Sequence, residues 1–422
     1  MKRLLMCVFL LSIAVGLFSQ NSDNETSASI QIRPRAEYRN GVLSPRNEGD
    51  LSTGFVTNRA RVSLDYKRHD LSMKLAAQHV GVWGQDPQID KNGRFILNEA
   101  WAKLYFNNSI YAQLGRQPLA YDDERILGGL DWNVAGRFHD ALKLGYEQDH
   151  NKLHLILAFN QNDEKLIGGT YYRPGGQPYK TMQTLWYNYS ESNFALSFLF
   201  MNLGQEGGTE AKPDSRYLQT FGFNTQYSTK ALKYYLTAYF QTGKTAADVK
   251  VSAWMAALKA TYAASNKLNL SIGTDYLSGT GSEDSKHKAF NPLYGTHHKF
   301  YGTMDYFYAS SFINGLNPGL WDKYLDASYI TSKKTSMSLT YHHFSMTSDI
   351  LIANEKVKKG LGSEVDLQFN WDIMKDVKLT GGYSVMFGSE SMDIVKGGNY
   401  KSWQDWGWVS VSINPRVFYA KW

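Results

Sequence analysis

Among 422 residues there is one cysteine, there are ten prolines, and the formal net charge is only +6. Cys7 lies inside the apolar run that opens the chain. The remainder therefore has no thiol, which excludes a disulfide scaffold, thiolate catalysis and zinc held by thiolates. So small a charge surplus, scattered along the chain, excludes a dedicated nucleic-acid binder. Few prolines and no low-complexity tract argue for one large unit rather than several linked modules. Beyond residue 20 no apolar stretch approaches the roughly 18 residues a membrane helix needs. A membrane β-barrel survives that test, because its signal is an alternation that hydropathy windows do not register.

The opening residues have the form of an export signal: Lys2 and Arg3 precede the apolar run Leu4–Phe18, with a cleavage point near Ser19 or Gln20. The mature chain is then residues 21–422, a single domain, and its charge falls to +4 once Lys2 and Arg3 are gone. From Ile30 the residues alternate. Ile30, Ile32, Ala36 and Tyr38 share one face, and Gln31, Arg33, Arg35, Glu37 and Arg39 share the other, which is the period of a strand. The pattern returns as Ala60, Val62, Leu64 and Tyr66 against Arg59, Arg61, Ser63 and Asp65, and again around 153–159, 194–200 and 361–369.

The connections alternate too. Long ones span 40–54, 83–95, 117–139, 161–179, 204–215, 242–248, 278–321, 345–359 and 388–402. Tight turns fall between them at 67–70, 107–109, 148–151, 190–193, 228–231, 264–267, 331–334 and 372–376. That rhythm predicts an all-β, antiparallel, up-and-down transmembrane barrel of about eighteen strands, with short turns on the periplasmic side and long loops outside. A soluble β-sandwich also alternates but has no need of this long/short order. The terminal Val417–Trp422, ending on an aromatic, is the kind of signal the barrel assembly machinery engages.

With the apolar face against lipid, the polar face lines a lumen, since a charge at the bilayer midplane costs about 2–4 kcal/mol. The first six strands then turn inward Arg33, Arg35, Arg39, Arg59, Arg61, Lys74, Lys103 and Lys143, against Glu37, Asp65, Glu99 and Glu147. Asp275, Asp326, Glu364 and Asp366 lie on the far wall. The connection 117–139, dense in charge and glycine, is the candidate constriction, with Asp122, Asp123, Arg125, Asp131 and Arg137 as its charged members. Folding into the lumen and ordering outside it are both open to this loop. The pairs His297–His298 and His342–His343, read as strand neighbours, point to opposite faces and cannot share a metal. No catalytic constellation, metal site or cofactor motif stands out.

Arg33-Pro34-Arg35-Ala36-Glu37-Tyr38-Arg39, Asn58-Arg59-Ala60-Arg61, Leu114-Gly115-Arg116-Gln117, Tyr121-Asp122-Asp123-Glu124-Arg125, Asp131-Trp132-Asn133 and Gly136-Arg137-Phe138-His139-Asp140-Ala141 resemble the alginate export family of outer-membrane porins, in the form common in Bacteroidetes. The resemblance extends to His297–Tyr306 and Leu361–Asp366. It implies an eighteen-stranded monomeric barrel in the outer membrane whose arginine-lined lumen passes an anionic polysaccharide or related solute without ATP. Arg33, Arg35, Arg59, Arg61, Arg125 and Arg137 match the family's motif arginines. Arg116 also matches, but it shares parity with Ile110, Ala112 and Leu114 and would face lipid unless it sits at the rim or on a bulge. Three functions stay open: a passive channel favouring anionic saccharides or small anions, a nonspecific diffusion porin, and a barrel adhesin or enzyme acting through an external loop at 278–321.

Overall fold

The computed structural model describes residues 24–86, 95–164, 166–167, 169–175 and 177–422, so the expected export signal falls outside the described residues. The first six strands are β1 (Glu25–Asn40), β2 (Thr53–Arg68), β3 (Leu71–Val82), β4 (Phe95–Tyr105), β5 (Ile110–Gln117) and β6 (His139–Gln148). Each later strand of the wall pairs antiparallel with the wall strand before it, and a small hairpin, Leu351–Ile352 with Glu355–Lys356, forms a sheet of its own. The last two sheet segments, Gln404–Ile413 and Arg416–Lys421, both pair with β1 and so close the ring. They are one strand broken at Asn414–Pro415, where proline has no N–H for the ladder. The barrel therefore has eighteen strands, and closure removes every sheet edge.

Alternation fixes which side chains see lipid. Val62, Leu64, Leu75, Leu144, Leu155, Phe198, Leu258 and Leu339 stand exposed on the outer wall. Near the short turns Tyr227, Tyr234, Tyr262, Tyr329 and Trp371 form one outward aromatic band, and toward the long loops Trp254, Trp321 and Phe387 contribute to a second. Two such girdles are what the membrane–water interfaces select. The Phe194–Thr209 and Lys212–Ser228 strands run on to a two-residue tip, so 204–215 is not the expected long loop but the end of a protruding hairpin. Paired strand residues there satisfy one another's backbone groups.

The interior is not wet throughout. Loops 118–138 and 278–319 fold into the barrel and zip together: Tyr294 donates to Ile126, Gly128 to Tyr294 and Thr296 to Glu124 through backbone hydrogen bonds of 2.9–3.0 Å. Their buried side chains, Leu119, Ile126, Leu127, Tyr301, Met304 and Phe307, join inward wall residues such as Met201, Met255 and Phe344 in one apolar core. That core fills the half of the interior nearer the long loops. Loop 278–319 thus lies in large part inside the barrel, not outside as an external ligand-binding arm.

Candidate functional site

On β1 and β2 the register sets Arg33 directly opposite Arg59 and Gln31 opposite Arg61. Like charges facing each other across two strands repel. The loop supplies the answer: Asp131 accepts from Arg33 Nη1 at 3.0 Å and from Arg59 Nη2 at 2.8 Å. Arg35 and Arg39 both donate to Glu37, their inward neighbour two residues away, and Trp406 Nε1 adds a third donor to it. Arg61 spends Nε and Nη2 on Gln78, at 2.9 and 2.6 Å. Trp132 lies between the Arg35 guanidinium, 4.1 Å from its ring centre, and the stacked His298 ring at 4.0 Å.

Nearer the short turns the cations continue. Lys74 meets Glu99 at 3.2 Å, and Glu99 also accepts from Trp101. Lys103 and Lys143 are cross-strand partners of Gln113 from either side, which puts the three at one height. The Lys103 ammonium lies 3.5 Å from the Tyr111 ring centre. Tyr111, Glu147, His154 and Tyr121 form a hydrogen-bonded cluster beside them, all at 2.8–3.0 Å.

The rest of loop 118–138 crosses to the far wall. Arg125, buried, grips Asp275 through both Nη atoms at 2.7 and 3.0 Å, takes Asp123 through Nε at 2.9 Å and packs over Phe300 at 3.9 Å. Burial opposes the charge on Arg125, but Asp275, Tyr301 and Asp123 outweigh it and hold the guanidinium well above its ordinary value. Asp122 accepts from Trp186 Nε1 at 3.0 Å and Ser197 Oγ at 2.5 Å, and burial holds its carboxyl above the usual range. Beneath this crossing a cavity of about 1060 Å³ opens toward the short turns, lined by Asp326, Asp366, Lys233, Lys259, Asn224, Gln368 and Trp408 among others.

Strand parity carries no information about the partners these residues meet. Arg125 is locked against Asp275 and does not stand free in the lumen. Arg137 donates to the carbonyls of Gly128, Tyr294 and Gly295 and so staples the two loops together. Arg116 faces outward, as its parity demanded, and forms a bidentate pair with Asp140 at 2.9 and 3.0 Å beside the Phe138 ring. His342 points inward against Asp322 and His343 meets Ser363, but His297–His298 sit on a short 3-10 turn, not a strand. Asp322 has no sequence signal of its own, and the stretch His297–Tyr306 marks Tyr301 and Thr303 without saying what they touch: Tyr301 Oη accepts from Arg125 at 3.2 Å and Thr303 Oγ1 donates to Asp366 at 2.5 Å.

Burial raises the Asp131 carboxyl, yet Arg59 and Arg33 more than reverse that and hold it below the ordinary aspartate value. A carboxyl lowered on folding contributes its contact fully above the unfolded value, about 4, and loses it as pH falls through the lower folded value. Channel current should therefore be steady from pH 8 to 5 on account of this group and change only below about 4. A transition centred near pH 6 in recordings of an Asp131→Asn/wild-type pair, present only in the wild type, would contradict the assignment.

The profile of the alginate export family matches residues 25–388. No curated protein sequence matches the chain. Among solved structures, OccAB1 of Acinetobacter baumannii is similar at a TM-score of 0.63 and 13% identity, over 93% of this chain and 97% of that one. OpdQ of Pseudomonas aeruginosa gives 0.61 and 13%, over 93% and 98%. OccK8 (OprE) of the same species gives 0.60 and 10%, with the same two coverages. At these identities the likeness is one of fold. With a closed eighteen-stranded wall, a lipid-facing apolar belt and a family match over nearly its whole length, the chain belongs to the alginate export family and is an outer-membrane channel, not an enzyme.

Proposed function

We propose that the channel passively conducts anionic saccharides or small anionic solutes along the β1–β6 wall. One observation carries this reading. Arg61, Lys103 and Lys143 face inward, and none has a carboxylate within salt-bridge distance among the described residues. A desolvated cation without a counter-ion is unfavourable, so a row of them favours an anion from solution. Charge-assisted hydrogen bonds to carboxylates can form and exchange along such a row without trapping the solute, as conduction requires. Oligouronates, alginate fragments included, fit this chemistry. Export by way of residues 1–20 and insertion by the barrel assembly machinery belong to the same reading.

A second reading, a nonspecific diffusion pore, draws support from the far wall. Among the described residues Asp326 is held only by the hydroxyls of Ser271 and Thr340, at 3.2 and 3.3 Å, so a transverse field crosses the lumen and cations also find partners. The two readings differ in blockade. Added to single channels in a planar bilayer, a tri-uronate should interrupt the current at concentrations where maltotriose, neutral and of the same length, leaves it unchanged. Equal effects of the two sugars would favour the nonspecific pore.

A further inference from the structure

The arginine cradle already contains a carboxylate. Asp131 hangs from the inserted loop with its side chain 73% exposed, yet both its oxygens are held by guanidinium groups, Oδ2 by Arg33 and Oδ1 by Arg59. The cradle is larger than this occupant. Arg59 is 1% exposed and its Nη1 is buried without any hydrogen-bond partner among the described residues. Arg61, on the same strand two residues on, offers its charge among the described residues to an amide oxygen alone. Buried guanidinium N–H groups are rarely left unpaired in a finished protein site, so the donors exceed what Asp131 can accept.

Nor does the loop need the Asp131 carboxylate to hold its place. Arg33 Nη2 also binds the backbone carbonyls of Asp131 and Asn133, at 2.8 and 3.3 Å, and Arg35 Nη1 binds that of Trp132 at 2.9 Å. The carbonyl of Ala135 accepts from Gln78 Nε2 at 2.7 Å and Asn98 Nδ2 at 3.1 Å. Main-chain contacts and the stacked Trp132 fix the segment. The Asp131 side chain is the exchangeable part: exposed, ionised, and bound as a solute carboxylate would be bound.

We propose that Asp131 is a resident competitor, which occupies the Arg33–Arg59 pair until the carboxylate of a passing solute displaces it. This rests on the anionic-solute reading above and adds to it a residue that sets affinity. A competitor built into the chain lowers the apparent affinity of the solute by the fraction of time it occupies the site, and it gives the displaced solute an equally quick route off. The net result is a site that selects carboxylates without retaining them.

The test compares wild type, Asp131→Asn and Asp131→Glu in planar bilayers, with trigalacturonate as the probe and zero-current potential measured on the same channels. Asp131→Asn should lower the half-blocking concentration of trigalacturonate by about fivefold, the effect of removing one solvent-exposed ion pair from competition. Asp131→Glu, which restores the charge, should return it to the wild-type value. An unchanged or raised half-blocking concentration in Asp131→Asn, in a wild type that prefers anions, overturns the competition and leaves the anionic-solute reading standing. So does an Asp131→Glu channel as tightly blocked as Asp131→Asn, since the cause would then be altered loop geometry. A wild-type channel that prefers cations removes the anionic-solute reading itself.

Discussion

Arg125→Ala is expected to release loop 118–138 from the far wall, at a cost of about 3–5 kcal/mol to the docked arrangement. The reason is what remains behind. Arg125 and Asp275 have side chains only 5% and 2% exposed, and their two hydrogen bonds form deep inside the barrel. Without the guanidinium, Asp275 is a buried charge with no counter-ion, beside Asp322, its cross-strand partner on the Leu320–Ile330 strand. Removing both partners together should be far milder. An Arg125→Met, Asp275→Leu pair replaces two buried charges by side chains of similar bulk, so its cost should fall to about 1–2 kcal/mol or vanish. Trypsin cleavage of the folded protein in detergent, followed with its heat-modifiable mobility, separates the cases. The single variant should be cut within the loop and lose its folded mobility at lower temperature, and the double variant should not. Equal damage in both would show that packing over Phe300, not the ion pair, secures the crossing.

Arg59→Ala combined with Arg61→Ala should lower the anion-to-cation permeability ratio by about tenfold, the change that about 1.4 kcal/mol of lost electrostatic attraction at the constriction produces. Two effects act in the same direction. The cradle loses half of its four neighbouring arginines, counted as Arg33, Arg35, Arg59 and Arg61, and Asp131 keeps only Arg33, so its negative charge faces the path less well neutralised. Asp326→Asn, on the opposite wall, makes a useful contrast, since removing that carboxylate should raise the ratio modestly. If the arginine pair and Asp326 gave changes of the same sign, the division of the lumen into a basic and an acidic wall would fail.

The architecture was readable because the physics behind it is periodic. A strand exposed to lipid on one side must alternate, and a hairpin on the periplasmic side has no reason to be long, so face and strand count followed from spacing alone. The same parity sets Arg33, Arg59, Lys103 and Lys143 on the polar face of their strands, while it leaves Arg116 open between the rim and a bulge. It could also have paired Glu37 with Arg35 and Arg39, which stand two residues to either side on one face. What spacing could not supply was the fate of the long loops. Nothing in residues 278–319 says that Tyr301, Met304 and Phe307 will be buried inside the barrel, because that depends on the inward wall they meet and on loop 118–138 arriving at the same place. Arg125 and Asp275 are 150 residues apart, and neither has a local pattern that names the other. The hairpin with its tip at 210–211 has a smaller reason: residues of a loop type, Gly207, Gly208, Lys212 and Asp214 among them, sit there in strands that extend beyond the membrane.

Everything functional rests on the β1–β6 wall drawing negative solutes through the barrel. The zero-current potential of the purified wild-type channel across a tenfold KCl gradient tests that most directly. Its sign should be that of chloride passing more readily than potassium, and it should move toward zero as salt is raised and the wall charges are screened. A potential of the opposite sign would mean that the acidic wall governs permeation and that the inward arginines and lysines serve only to hold the loops and strands in place.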